Sequence, residues 1–219
     1  MHKPKICVVI TSDDTVAIEY SSQYADLFEM RLDMIGNDWS SILRFIHKPW
    51  IATCRLKSEG GTWDASEARR KEEILKALSS GASLVDLELD TPNLERLAPI
   101  VKKRGQLILS YHNYNETPSL EKIEAIVERE FNAGADIAKI ATMADSPSDA
   151  LRVLQIIEKF PDKEVIAITM GEKGALSRIL APLIGSPFTY AATITGQESA
   201  AGQFSAFELN KIYSMLGLS

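Results

Sequence analysis

The feature that most constrains this chain is an alternation repeated eight times. Apolar runs rich in β-branched residues lie at 6–11, 25–33, 50–55, 84–90, 106–112, 137–142, 165–170 and 189–195. Their starts fall about 20 to 34 residues apart, the length of one strand, loop, helix and loop. Between most of them the periodicity becomes helical. Clear helices are expected at 66–80, 120–133, 148–160 and 204–216, each with apolar residues at three- and four-residue spacing and charges between. Ser119 with Lys122, and Ser146-Pro147, have N-terminal capping chemistry, while Gly81, Gly105 and Gly134 stand where helices should stop. Shorter helices are expected at 40–46, 92–103 and 173–180, and 16–24 is the weakest helical stretch.

Eight strands alternating with helices in 219 residues predict a (β/α)8 TIM barrel, one domain spanning 1–219. A doubly wound open sheet is the alternative. It would normally carry a glycine-rich turn after its first strand, and that position reads Thr11-Ser12-Asp13-Asp14-Thr15.

Composition excludes several classes of function. A net charge of -6 with both signs scattered lacks the basic stripe of a nucleic-acid binder. Cys7 and Cys54 sit in apolar runs with no CxxC partner, which fits buried thiols in a reducing compartment rather than a disulfide framework. About six apolar residues follow Met1 to Lys5 before Asp13 and Asp14 interrupt, too few for a signal peptide or a membrane span. No membrane association is expected, and a cytoplasmic location is.

The strands also carry charge in a pattern. Residues at i, i+2 and i+4 of a strand share a face. Glu29, Arg31 and Asp33 therefore form one row, Thr53 and Arg55 a second, Asp86, Glu88 and Asp90 a third, and Ser110 and His112 a fourth. The opposite faces are mostly apolar, so in a barrel they meet the helices and the charged rows face the lumen near the carboxyl ends of the strands. Lys139 joins them from an otherwise apolar run, 136–142. Desolvation there favours a neutral, nucleophilic amine, although a lysine snorkelling from a strand edge or half of a structural ion pair fits the same run. After the seventh strand comes a glycine-bearing loop ending in Arg178, and after the eighth a small polar loop suited to closing over a ligand.

These residues resemble the type I 3-dehydroquinate dehydratases. The resemblance rests on Glu29-Met30-Arg31-Leu32-Asp33, Arg55 through Gly61, Asp86-Leu87-Glu88, Ser110-Tyr111-His112-Asn113, Ala138-Lys139-Ile140-Ala141, Met170-Gly171 through Ser177-Arg178, and Ser199 through Gln203, in family order and spacing. It implies a (β/α)8 barrel that converts 3-dehydroquinate to 3-dehydroshikimate through a Schiff base, with no cofactor. By position, Lys139 looks like the imine-forming lysine, His112 like the general acid/base, and Glu88 like the carboxylate that orients it. Glu29, Arg31, Arg55, Arg178, Ser199 and Gln203 look like the substrate-binding set. Ala201 stands where the family's commoner form has proline.

The chemistry suits those residue types. A protonated imine is a better electron sink than a ketone, and a histidine titrating near neutrality can move a carbon-bound proton. Arginine forks suit a small polyhydroxylated acid. The alternatives are another Schiff-base barrel of the class I aldolase type, for which no phosphate cradle follows strands seven and eight, and a carboxylate-binding barrel without turnover. Tyr213, Met215 and Leu218 on the last helix could pair two copies as a homodimer or pack onto the barrel. No metal site is expected, because the only histidines are His2, His47 and His112, and the arginines would compete with Mg²⁺ for the carboxylates. Activity measured after dialysis against a chelator is therefore expected to be retained; loss restored by a divalent ion would refute this.

Overall fold

A computed structural model describes residues 3–218. Its strands are β1 (Ile6–Ile10), β2 (Leu27–Arg31), β3 (Trp50–Thr53), β4 (Leu84–Glu88), β5 (Gln106–Asn113), β6 (Ile137–Met143), β7 (Glu164–Met170) and β8 (Thr189–Ala192). All pair in parallel in the order β7-β6-β5-β4-β3-β2-β1-β8, so one seam, between β7 and β8, interrupts a nearly closed barrel. This is the expected (β/α)8 architecture.

The helices are α1 (Thr15–Ser22), α2 (Leu32–Ile35), α3 (Glu67–Ser79), α4 (Leu94–Lys102), α5 (Leu120–Asn132), α6 (Pro147–Lys159), α7 (Ala175–Leu180) and α8 (Ala206–Met215). Side chains satisfy backbone donors at their starts. Ser66 and Ser119 accept from the amides of Arg69 and Lys122, while Asp149 and Glu208 reach back to the amides of Ser146 and Ser205. The weak stretch 16–24 does form a helix, α1, because Asp14 caps the Ala17 amide at 3.0 Å.

Several expected boundaries move. The second run ends as a strand at Arg31 and turns at once into α2, which takes Asp33 off the row it shares with Glu29 in sequence. The fourth ends at Glu88, where the Thr91 amide bonds the Glu88 carbonyl in a turn, so Asp90 leaves the lumen and pairs with Arg129 on the surface. The eighth stops at Ala192 instead of reaching 195, and residues 39–45 wind as a 3-10 helix with His47 in the loop beyond. His2 lies outside the described residues.

The barrel wall separates two apolar regions. Outward residues such as Val8, Phe28, Met30, Val85 and Leu109 pack under the helices. Inward, Leu27, Ile51, Leu84, Ile108, Ile137 and Ile166 form an apolar floor. Two residues further along, most of these rows turn polar: Leu27 is followed by Glu29, Ile51 by Thr53, Leu84 by Asp86, Ile108 by Ser110 and Ile137 by Lys139. The floor closes the amino end of the lumen and leaves the charged layer at the carboxyl end.

Of the three residues for which both a homodimer contact and packing onto the barrel were open, two are packed. Tyr213 is 1% exposed, its hydroxyl donating to the Ile179 carbonyl at 3.1 Å, and Leu218 is buried as well. Only Met215, 79% exposed, remains of the proposed homodimer contact. Among the described residues no helix is long and apolar enough to cross a membrane.

Candidate active site

Lys139 projects from the middle of β6 into the charged layer, 6% exposed. Its ammonium is not bare. Asp86 Oδ2 lies 2.7 Å from Nζ, Glu29 Oε1 3.8 Å away, and the ring of Tyr190 4.3 Å away at its centroid. The ion-pair alternative for this lysine is therefore realised inside the cavity.

Asp86 holds more than the lysine. Its Oδ1 accepts from Arg55 Nη2 at 2.7 Å and from Ser110 Oγ at 2.6 Å. Burial alone would raise this carboxyl, but the Arg55 and Lys139 charges outweigh it and hold Asp86 well below the usual carboxylate range. Arg55 Nη1 also meets Ser110 Oγ at 2.8 Å and Glu88 Oε1 at 3.1 Å. Glu88 in turn receives Arg70 Nη1 at 2.6 Å and the Leu56 amide at 3.1 Å. On the rim, Arg31 and Asp33 form a two-pronged pair at 2.9 and 2.7 Å.

His112, near the end of β5, differs from expectation in two ways. Its partner is Glu59, whose Oε2 lies 2.8 Å from Nδ1 and 3.2 Å from the His112 amide. Glu88, expected in that role, points instead between Arg55 and Arg70 and does not line the cavity. The physical reason is charge: two buried guanidiniums claim Glu88. Nor does His112 titrate near neutrality; burial, with Arg55 and Lys139 adding repulsion, drives it well below 6.5. Burial pushes Glu59 up to about 7. Below neutral pH the proton is thus held on Glu59 while His112 stays neutral.

Glu59 reaches His112 because the chain behind it turns very tightly. Lys57–Glu59 is one 3-10 turn ended by Gly60 at φ 76°, and a Cβ on Gly61 would sit 2.0 Å from the Arg55 carbonyl oxygen. The Gly60-Gly61 pair was the available signal for this turn.

Arg178 from α7 is 2% exposed, and its Nε has no hydrogen-bond partner among the described residues. Among these residues it has no carboxylate within ion-pair distance, and burial pushes it down to about 10. Ser199 and Gln203 arrive on the last loop, where the Ser199 amide and hydroxyl donate to Gln203 Oε1 at 2.9 and 3.1 Å. That loop docks on the end of β7: the Gly171 amide donates to the Ala201 carbonyl at 2.9 Å, and a Cβ on Gly202 would meet Gly171 O at 2.3 Å.

One cavity gathers Glu29, Arg31, Arg55, His112 and Lys139 with Arg178, Ser199 and Gln203. Glu59, Tyr114 and Tyr190 also line it and were not singled out from sequence. Among the described residues no three His, Cys, Asp or Glu side chains are grouped so as to hold a metal ion.

Titratable groups converging on a lysine at the carboxyl ends of eight parallel strands define the class of protein as a barrel enzyme. Comparison with known proteins gives the particular family. The model for type I 3-dehydroquinase matches residues 6–219. A 3-dehydroquinate dehydratase of Dehalococcoides mccartyi is 40% identical over 213 residues, 97% of this chain and 96% of that protein. One from Methanocaldococcus jannaschii is 38% identical, covering 97% of this chain and 99% of its own length. The crystal structure of a type I 3-dehydroquinate dehydratase from Clostridium difficile superposes with a TM-score of 0.87 at 27% identity, covering 100% of this chain and 94% of that one. The chain belongs to the type I 3-dehydroquinase family.

The opposite shifts of His112 and Glu59 make a pH prediction. From about pH 4.5 to 6.5 the folded pair keeps one proton on Glu59, and the unfolded chain keeps one on the histidine, so their effects on stability cancel. In Glu59→Gln only the buried histidine remains. The unfolded state then binds the extra proton, and stability falls as pH drops below about 6.5. Urea unfolding of variant and parent across this range should show the variant losing stability relative to the parent on acidification; parallel curves would refute the pairing.

Proposed function

We propose that this chain is a hydro-lyase that dehydrates 3-dehydroquinate to 3-dehydroshikimate in the shikimate pathway, through a Schiff base on Lys139 with His112 as general acid/base. The observation that carries the mechanism is that an ε-amino group, a histidine–carboxylate pair and a buried guanidinium lacking an anion all open into one cavity.

A buried charge without a partner is costly, so Arg178 is the natural seat for the substrate carboxylate. Arg55 is already committed to Asp86 and Glu88, which supports Arg178 rather than Arg55 in this role. Glu29, Arg31, Arg55, Ser199 and Gln203 supply donors and acceptors for ring hydroxyls. Glu88 acts through Arg55, holding its guanidinium in place.

The Lys139 ammonium first gives one proton to the neutral His112, and the free amine then adds its lone pair to the ketone carbon. The carbinolamine takes up one proton and releases its hydroxyl as water, leaving a protonated C=N bond. His112, kept neutral by its surroundings, removes a proton from the adjacent carbon, and the C–H electrons flow into the iminium to give an enamine. The proton then returns from His112 to the hydroxyl one carbon further on. That hydroxyl leaves as water while the enamine electrons form the new C=C bond and restore the iminium. Hydrolysis consumes one water and returns the amine, the product and the proton taken up at the start, so one water is lost overall. We take the chain to work as one catalytic barrel domain in the cytoplasm on this small molecule, without a cofactor.

Borohydride added with 3-dehydroquinate should inactivate the protein and leave a stable adduct that peptide mass mapping locates on Lys139. Under the same treatment His112→Ala should still form the adduct while its turnover falls at least roughly 10²-fold. Turnover without an adduct, or an adduct on another lysine, would refute the mechanism; ligand binding with no turnover would favour the non-catalytic barrel.

A further inference from the structure

The Lys139 nitrogen lies between two different partners. On one side is the Asp86 carboxylate at 2.7 Å, and on the other the face of the Tyr190 ring, 4.3 Å from its centroid. Tyr190 stands on β8, laddered to Cys7 of β1, and is 3% exposed on the cavity wall. Phe188 braces its ring edge-on, with centroids 5.4 Å apart and planes at 73°. Its hydroxyl has no hydrogen-bond partner among the described residues, so what Tyr190 presents to the lysine is the ring. Val9 and Ile168 line the same cavity with aliphatic side chains, so among these three neighbours only Tyr190 offers a ring face.

We propose that Tyr190 is a positioning residue for Lys139, whose ring face holds the nitrogen in its cationic forms and stabilises the iminium made during the reaction. The inference rests on the Schiff-base mechanism proposed above. An ammonium has three N–H groups and can satisfy Asp86, Glu29 and a third partner together; an iminium keeps one. Forming the C=N bond therefore weakens the hydrogen-bonded half of the lysine's surroundings. A ring quadrupole attracts positive charge without needing an N–H, and its flat face matches a planar iminium. In a site screened from water this attraction supports the intermediate at the stage where the carboxylates hold it less well.

The test is the rate of borohydride-trappable adduct formation with 3-dehydroquinate in single-turnover quench experiments. Three replacements at this position separate ring from volume. Tyr190→Phe keeps the ring face and is expected to trap within about threefold of the parent. Tyr190→Leu removes the ring, and pentafluorophenylalanine in place of Tyr190 keeps its shape while reversing the charge of its face. Both are expected to trap about 3- to 30-fold more slowly than Tyr190→Phe, the range of a cation–ring attraction. Should the leucine variant fail to fold, the phenylalanine and pentafluorophenylalanine forms still decide, because they fill the same space. Equal trapping by those two overturns the proposal and leaves the Schiff base intact. No adduct in the parent overturns the Schiff-base mechanism and this inference with it.

Discussion

The structure of the lumen depends on the Asp86 carboxylate, which no solvent reaches and which holds Lys139, Arg55 and Ser110 at once. Without it two cations would face each other in a medium that screens them poorly, and breaking such a pair from one side costs about 3–5 kcal/mol. The pairing continues outward through Arg55 to Glu88, from Glu88 to Arg70, and from Arg70 to Glu67 at the edge of the solvent. Asp86, Glu29, Glu88 and Glu67 thus pair with Lys139, Arg55 and Arg70, so each of these three cations has a carboxylate partner. Arg178 stands outside this network, and no carboxylate among the described residues lies within ion-pair distance of it.

Such a concentration of buried charge is tolerable because the rest of the lumen is apolar. The aliphatic floor excludes water from below, and the period of two along each strand lifts the next side chain of the same row into the charged layer. One inward row therefore serves as core at its start and as site at its end. The polar bonds of Asp86 and Arg55 are strong because the floor keeps their surroundings dry.

Loops complete what the strands begin. Gly60-Gly61 folds the β3–α3 connection back on itself tightly enough to set Glu59 on His112, and Gly202 lets the last loop pack against Gly171 so that Ser199 and Gln203 reach the cavity. These close backbone approaches convert a charged barrel end into an enclosed pocket. The histidine stands on β5 and its carboxylate on the β3–α3 connection, so their contact exists only when that loop is in place.

Periodicity and charge placement by themselves determined the barrel, the inward rows, and the membership of Glu29, Arg31, Arg55, His112 and Lys139 in one cavity, and the family resemblance added Arg178, Ser199 and Gln203. Strand alternation is a local rule, so which face a residue takes is legible from its neighbours in the chain. Partnership is not local. Glu88 and Glu59 are both acidic residues near the carboxyl ends of neighbouring strands, and only the packing of α3, which buries Arg70 against Glu88, decides that Glu59 is the one left for His112. In the same way Asp33, Asp90 and the ring of Tyr190 owe their positions to where strands end and which strands adjoin. Those outcomes are set by hydrogen bonds and charge pairs between segments far apart in the chain, and only the closed barrel brings these together.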